Sequence, residues 1–208
     1  MQKFNKEAAK RIIVHTWYLY PIAVIIITLL LIWGFGAYHQ PSAHQTISIF
    51  IACNVRNNKF INPIQEHYER DKLRQINVNY AMPTDALYPQ KLKIHLSQSD
   101  ILILPKATVD VYKSHYEEYF IEFSASTKEQ FFKDGYQYYD QEGHDFGIMF
   151  RKQDMDNPYD QYMTFYNDDY YLVITKASTN TGKLYNEKNE YYDNALTIVN
   201  YLMEGINA

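Results

Sequence analysis

From Trp17 to Ala37 the chain runs for 21 residues without a charge, WYLYPIAVIIITLLLIWGFGA. A helix of that length rises about 30 Å, the thickness of a hydrocarbon core. Every face of it is apolar, which no amphipathic surface helix tolerates in water. Trp17, Tyr18 and Tyr20 stand at one end, and Trp33, Phe35 and Tyr38 at the other, as interfacial rings do. Pro21 falls in the first turns, where the missing N–H costs little. The run predicts a transmembrane helix over residues 17–38.

The flanking charges predict its orientation. Lys3, Lys6, Lys10 and Arg11 precede the run against Glu7 alone, a local charge of +3, and the next basic residue is Arg56. Positive residues stay inside, so residues 1–16 read as a cytoplasmic tail and residues 46–208 as an extracytoplasmic domain, joined by a tether over 39–45. With −4 for the whole chain, the portion beyond the tail carries −7. A cleaved signal peptide is the rival reading. Its apolar region is usually shorter, and Phe35-Gly36-Ala37 sets a ring where a small residue is needed. Ile51-Ala52-Cys53 resembles the end of a lipobox but lies well past the apolar run. The expectation is an uncleaved single-pass anchor in the cell membrane.

Beyond the tether, strand-like and helix-like segments alternate. TISIFIAC (46–53) is a β-branched and aromatic run. In NPIQEHYERDKLRQ (62–75), Ile64, Tyr68 and Leu73 fall near helical spacing, and Asn62 before Pro63 suggests an N-cap. INVNY (76–80) is a second strand, LYPQKLKIHLSQ (87–98) a second helix, and ILILP (101–105) a third strand without alternation, as expected of a central one. Such β-α-β-α-β order predicts a parallel sheet with helical crossovers. The second half is less regular. ATVDVYKSHYEEYF reads as helix, FGIMFRK (146–152) and YYLVITK (170–176) as strands, 177–190 as a loop, and YYDNALTIVNYLMEG as a closing amphipathic helix. The expected fold is α/β, a single three-layer domain with a mostly parallel sheet.

This order of segments resembles the extracellular solute-binding proteins of ABC importers, of the two-lobed periplasmic type. TISIFIAC, NPIQEHYERDKLRQ, INVNY and PTDALYPQKLKIHLSQSDILILP carry the first part of the resemblance; HDFGIMF, DDYYLVITKAS and the closing helix look like the family's return segments. Only residues 106–145 stand where such proteins insert a second lobe, so the resemblance implies about one lobe. It also implies a non-catalytic accessory subunit, with a small solute as ligand and an ABC transporter permease or another membrane protein as partner.

The residues themselves point to binding rather than bond chemistry. The seven histidines are scattered without HExxH spacing, and Asp154 to Asp160 begins like a calcium loop but lacks its glycine and distal glutamate; no metal or cofactor is expected. There is no G-x-S-x-G elbow, and Cys53 ends a strand expected to be buried. Asp168 and Asp169, adjacent before a strand, face opposite sides. The acidic balance does not suit nucleic acid. In open α/β sheets ligands collect at the carboxyl ends of the strands, which makes Asn54, Asp85 and Lys106 the candidate ligand-binding residues. Of the 21 tyrosines, Tyr136, Tyr138, Tyr139, Tyr159, Tyr162, Tyr166, Tyr170 and Tyr171 exceed what a small core needs. With no tryptophan outside the apolar run, they favour a protein interface over sugar stacking. A protein-protein interaction or scaffold domain without a small ligand is therefore the alternative.

Overall fold

The computed structural model describes residues 14, 16–39, 41, 45–67, 73–132, 135–176 and 190–207. The tail over 1–13 and most of the expected tether and 177–190 loop lie outside them, as does Tyr68. The chain forms two compact units, Met1–Gln40 and Pro41–Ala208.

In the first unit, helix α1 spans Leu19–His39. Its window Leu19–Gly36 is long and apolar enough to cross a membrane and buries nothing within its own unit. Thr28, in the middle of that window, donates its hydroxyl to the Val24 carbonyl at 2.8 Å. That bond removes the hydroxyl from an apolar surround. A signal sequence shares these properties of length and composition.

The second unit is α/β. Strand β1 covers Thr46–Ile51, β2 Asn54–Val55, β3 Gln75–Tyr80, β4 Ile101–Pro105, β5 Tyr138–Gln141, β6 His144–Arg151, β7 Met163–Thr164 and β8 Tyr170–Ile174. Helices are α2 (Asn62–His67), α3 (Tyr88–Gln98), α4 (Lys106–Tyr112), α5 (Tyr116–Tyr119), α6 (Ala125–Phe131) and α7 (Glu190–Asn207). Among the described residues the main sheet has six strands in the order β3-β1-β4-β8-β6-β5, and β2 pairs with β7 in a small ladder of its own.

The sheet is mixed: mostly parallel by strand direction, as expected, but not entirely so. β1 lies parallel to both β3 and β4, but β4–β8, β8–β6 and β6–β5 are antiparallel. Four of the six strands, β1, β3, β4 and β6, share a direction, but the parallel pairings lie in the first half alone. That half follows from its connections: β1 to β3 and β3 to β4 each need a crossover. Because the two crossovers run in opposite directions along the sheet, right-handedness sends their helices to opposite faces. Phe50, Leu102 and Val173 are neighbours in register and share one face. The Phe50 ring stacks on His95 of α3 at 4.4 Å. The opposite face, with Ile49, Ile101 and Ile174, is equally closed. Tyr159 ties the elements of that side together, packing its ring against Phe60 and donating its hydroxyl to the Leu202 carbonyl of α7.

The last three strands fold as neighbours in sequence and space. β5 and β6 are joined by Glu142-Gly143, at φ of 57° and 91°, so both turn residues are left-handed, as a type I′ hairpin requires. Glycine serves the second position; Asp140 accepts the Gly143 N–H at 2.7 Å. Along β6 the register skips Phe146 against β5 and Phe150 against β8. The first bulge lets Phe146 and Gly147 serve the same side, and Phe146 reaches Tyr139 at 5.1 Å and stacks on Tyr116 at 4.9 Å.

Two local expectations change. Asn62 is no N-cap: it has helical dihedrals and continues a 3₁₀ turn over Lys59–Ile61. The ATVDVYKSHYEEYF segment is α4, a 3₁₀ turn and α5 rather than one helix, and Phe120 makes a single bridge to Thr175.

At the amino ends of the strands a buried polar group fixes β1 against β4. Asp100 and Ser48 exchange contacts, carboxylate to Ser48 N–H and Asp100 N–H to Ser48 carbonyl, both at 2.8 Å. Ser99 Oγ lies 2.9 Å from His95 Nδ1. Burial, then the nearby Lys91 charge, holds the His95 imidazole below its ordinary pKa. As pH falls below about 6.5, the unfolded chain takes up the His95 proton before the folded one, so stability present above that pH is lost as pH drops towards the folded value. Urea titrations of His95→Gln against wild type at pH 7.5 and 5 should show a smaller loss on acidification in the variant.

Candidate functional site

In a sheet ordered β3-β1-β4, the chain leaves β1 and β4 towards opposite faces, and the crevice between their carboxyl ends is where ligands usually sit. Here that crevice is filled from within. Tyr170, the first residue of β8 and fully buried, donates its hydroxyl to the Ala52 carbonyl at 3.0 Å and accepts the Tyr166 N–H at 2.9 Å. Burial of the phenol raises its pKa, keeping it a neutral donor. The β2–β7 ladder, Asn54 opposite Thr164, lies next to it.

The three candidate residues all lie where strands end, but the fold does not bring them together around one cavity. Asn54 is exposed in that ladder. Asp85 is exposed and pairs with Lys91 at 3.7 Å, a contact worth little at the surface. Lys106, the first residue of α4, pairs with Asp110 one turn on, at 3.0 Å. Asp110 also accepts a short hydrogen bond from the Tyr139 hydroxyl. Partial burial opposes its ionisation, but bonds from Tyr139 and Lys106 and the charges of Lys106 and Lys113 outweigh it and hold the carboxyl below its usual range. Lys106 is thus already neutralised.

What opens at the strand ends is a cleft of about 350 Å³ between the amino-terminal parts of α3 and α4. Pro83, Tyr88, Leu92, Pro105, Val111 and Tyr112 make its largely apolar wall. Its polar groups are spent on the fold. Tyr88 Oη lies 3.1 Å from Thr108 Oγ1, and Asp168 accepts the Ala107 N–H at 2.9 Å. Its neighbour Asp169 accepts the Gln153 N–H instead, so the two carboxylates serve different segments. Val111 is 72% exposed at the rim, and Leu87 and Tyr166 are exposed nearby. This cleft was not legible in the sequence, because its walls belong to segments separated by over eighty residues; the exposed Val111 within a helical stretch was the available signal.

The cysteine thiol is enclosed. Cys53 is buried and its thiol is pushed up to about 12 by loss of hydration, so it carries almost no thiolate at neutral pH. No group of three or more metal-ligating side chains occurs among the described residues. In the acidic stretch, Asp160 closes a capping box with Asn157 and bonds Arg151. The chain matches no family model, no curated protein and no solved structure.

Two measurements follow from this geometry. Tyr170→Phe leaves the Ala52 carbonyl and the Tyr166 amide without their buried partner, and should cost about 1–3 kcal/mol in urea denaturation. Cys53 should resist a thiol reagent such as 5,5′-dithiobis(2-nitrobenzoate) in the native chain and react fully in denaturant; rapid native labelling would contradict its enclosure.

Proposed function

We propose that this is a membrane-anchored, non-catalytic, solute-binding-like accessory subunit whose extracytoplasmic domain takes an apolar or aromatic group in the cleft between α3 and α4. The carrying observation is that cleft: its volume of about 350 Å³ and its aromatic and proline-rich wall suit a small ligand, at the carboxyl ends of parallel strands. The anchor reading is supported by α1 and by the basic residues that precede it. A cytoplasmic amino terminus then leaves the domain outside, held near a partner at raised effective concentration. Service to an ABC transporter permease rests on the resemblance in segment order. The non-catalytic reading is supported by the enclosure of Cys53 and by the pairing of half-buried His95 with buried Ser99 at the amino end of the sheet.

One observation favours the alternative, a surface scaffold domain. Tyr170 occupies the crevice that a solute would normally enter, and Val111, Leu87 and Tyr166 present apolar surface around the cleft instead.

A panel of aromatic and branched apolar solutes, with short peptides, should give saturable thermal stabilisation of the full chain in lipid nanodiscs. Val111→Asp at the rim should weaken any such response roughly tenfold while leaving the melting temperature of the free protein unchanged. A flat response across the panel, with a photo-crosslinker at position 111 capturing one discrete membrane protein in intact cells, would replace the solute reading by the scaffold one.

A further inference from the structure

A second cleft, of about 520 Å³, opens beside the carboxyl end of β6, away from the residues of the first. Three of the chain's six methionines line it, Met149, Met155 and Met203, together with Tyr136 and Phe150. Methionines make a wall that is apolar yet able to change shape, since each has three rotatable bonds and a polarizable sulfur. Met155 is 62% exposed and is free to give way.

The charged groups of this wall are Arg151, Lys152 and Asp156, and of these Arg151 is the most enclosed. Its side chain is 14% exposed, its Nε donates to Asp160 Oδ1 at 3.2 Å, and its guanidinium lies over the Phe165 ring at 5.2 Å. The other oxygen of Asp160 accepts the Asn157 N–H. Asn157, also in the wall, is engaged at both ends: its oxygen accepts the Tyr159 N–H and its amide donates to the Phe150 carbonyl. Against this background Arg151 Nη1 is enclosed and has no hydrogen-bond partner, the one such buried side-chain atom among the described residues. A charged donor left without an acceptor in a dry site is unfavourable, and such groups are normally satisfied. Arg151 lines the cleft, so an oxygen presented there would reach this donor once the methionine wall shifts. A carboxylate answers best, since a guanidinium fork offers parallel donors to paired oxygens. Lys152, exposed at the same wall, adds a second cation.

We infer that this cleft is a binding site for a small amphipathic carboxylate, its apolar body on Met149, Met155 and Met203 and its carboxylate on Arg151. The site is independent of the one proposed between α3 and α4, and either can fail without the other.

The test uses 4-phenylbutyrate and its uncharged amide, 4-phenylbutyramide, titrated calorimetrically into the full chain in lipid nanodiscs, with empty nanodiscs subtracted. The acid should bind saturably and the amide at least about tenfold more weakly, as expected when a charge-assisted pair is lost. Arg151→Gln should weaken the acid by about the same factor and leave the amide unchanged. Met155→Trp, which fills the cleft from its exposed side without touching the core, should abolish binding of both and keeps the test valid if Arg151→Gln fails to fold. Val111→Asp should leave the acid's affinity as it is. The assignment is overturned if acid and amide bind equally, if Met155→Trp binds the acid normally, if Val111→Asp removes the binding, or if the acid gives no saturable heat.

Discussion

The placement of β8 decides most of what this domain presents to its surroundings. The run YYLVI inserts antiparallel beside β4, and all five of its residues are buried. A strand closed on both faces has to have both backbone edges satisfied, and β8 meets that condition by pairing with β4 on one side and β6 on the other. Because it runs against β4, its first residue lies opposite the last residue of β4, Tyr170 against Pro105. The ring of Tyr170 is thereby delivered to the carboxyl ends of the parallel strands. A parallel β8 would have begun at the other edge of the sheet and left the crevice between β1 and β4 empty.

From that one juxtaposition the chemistry of the strand ends follows. Tyr170 bonds the backbone beyond β1, and the two aspartates before it turn back to accept amides from Ala107 and Gln153. The Lys106 N–H donates to the Asp169 carbonyl, which anchors the start of α4. Lys106 is paired to Asp110, and Asp110 is held by Tyr139, so neither charge is left open towards the crevice. The opening left over is displaced towards α3 and is apolar because the polar groups around it are already engaged.

The sequence made the first half of the domain legible and the second half only in pieces. ILILP lacks alternation because both faces are covered, and that alone identified a central strand. YYLVI carries the same signal, yet composition does not encode strand direction, so the sheet's mixed character was invisible. The hairpin over 138–151 was half seen: bulges at Phe146 and Phe150 break the period of two that marks a strand, and Glu-Gly is a weaker turn signal than Asn-Gly. For the site, the positions of Asn54, Asp85 and Lys106 after their strands were read correctly. Their partners were not, because Lys91 and Asp110 answer to helix geometry, and Tyr170, over a hundred residues from Ala52, answers to topology.

The two clefts differ in a way that bears on what each can hold. Beyond its tail the chain carries −7 by sequence, so its overall field repels anions, and that field is screened beyond about 8 Å at physiological ionic strength. Recognition of a carboxylate cannot rely on steering and has to rest on a short-range donor in a dry wall. Arg151 meets that requirement, with most of its side chain buried and one of its nitrogens lacking an acceptor. The cleft between α3 and α4 has no lysine or arginine in its lining, and Tyr88 is matched with Thr108. Apolar contact is what it has to give, and shape rather than charge must select its ligand.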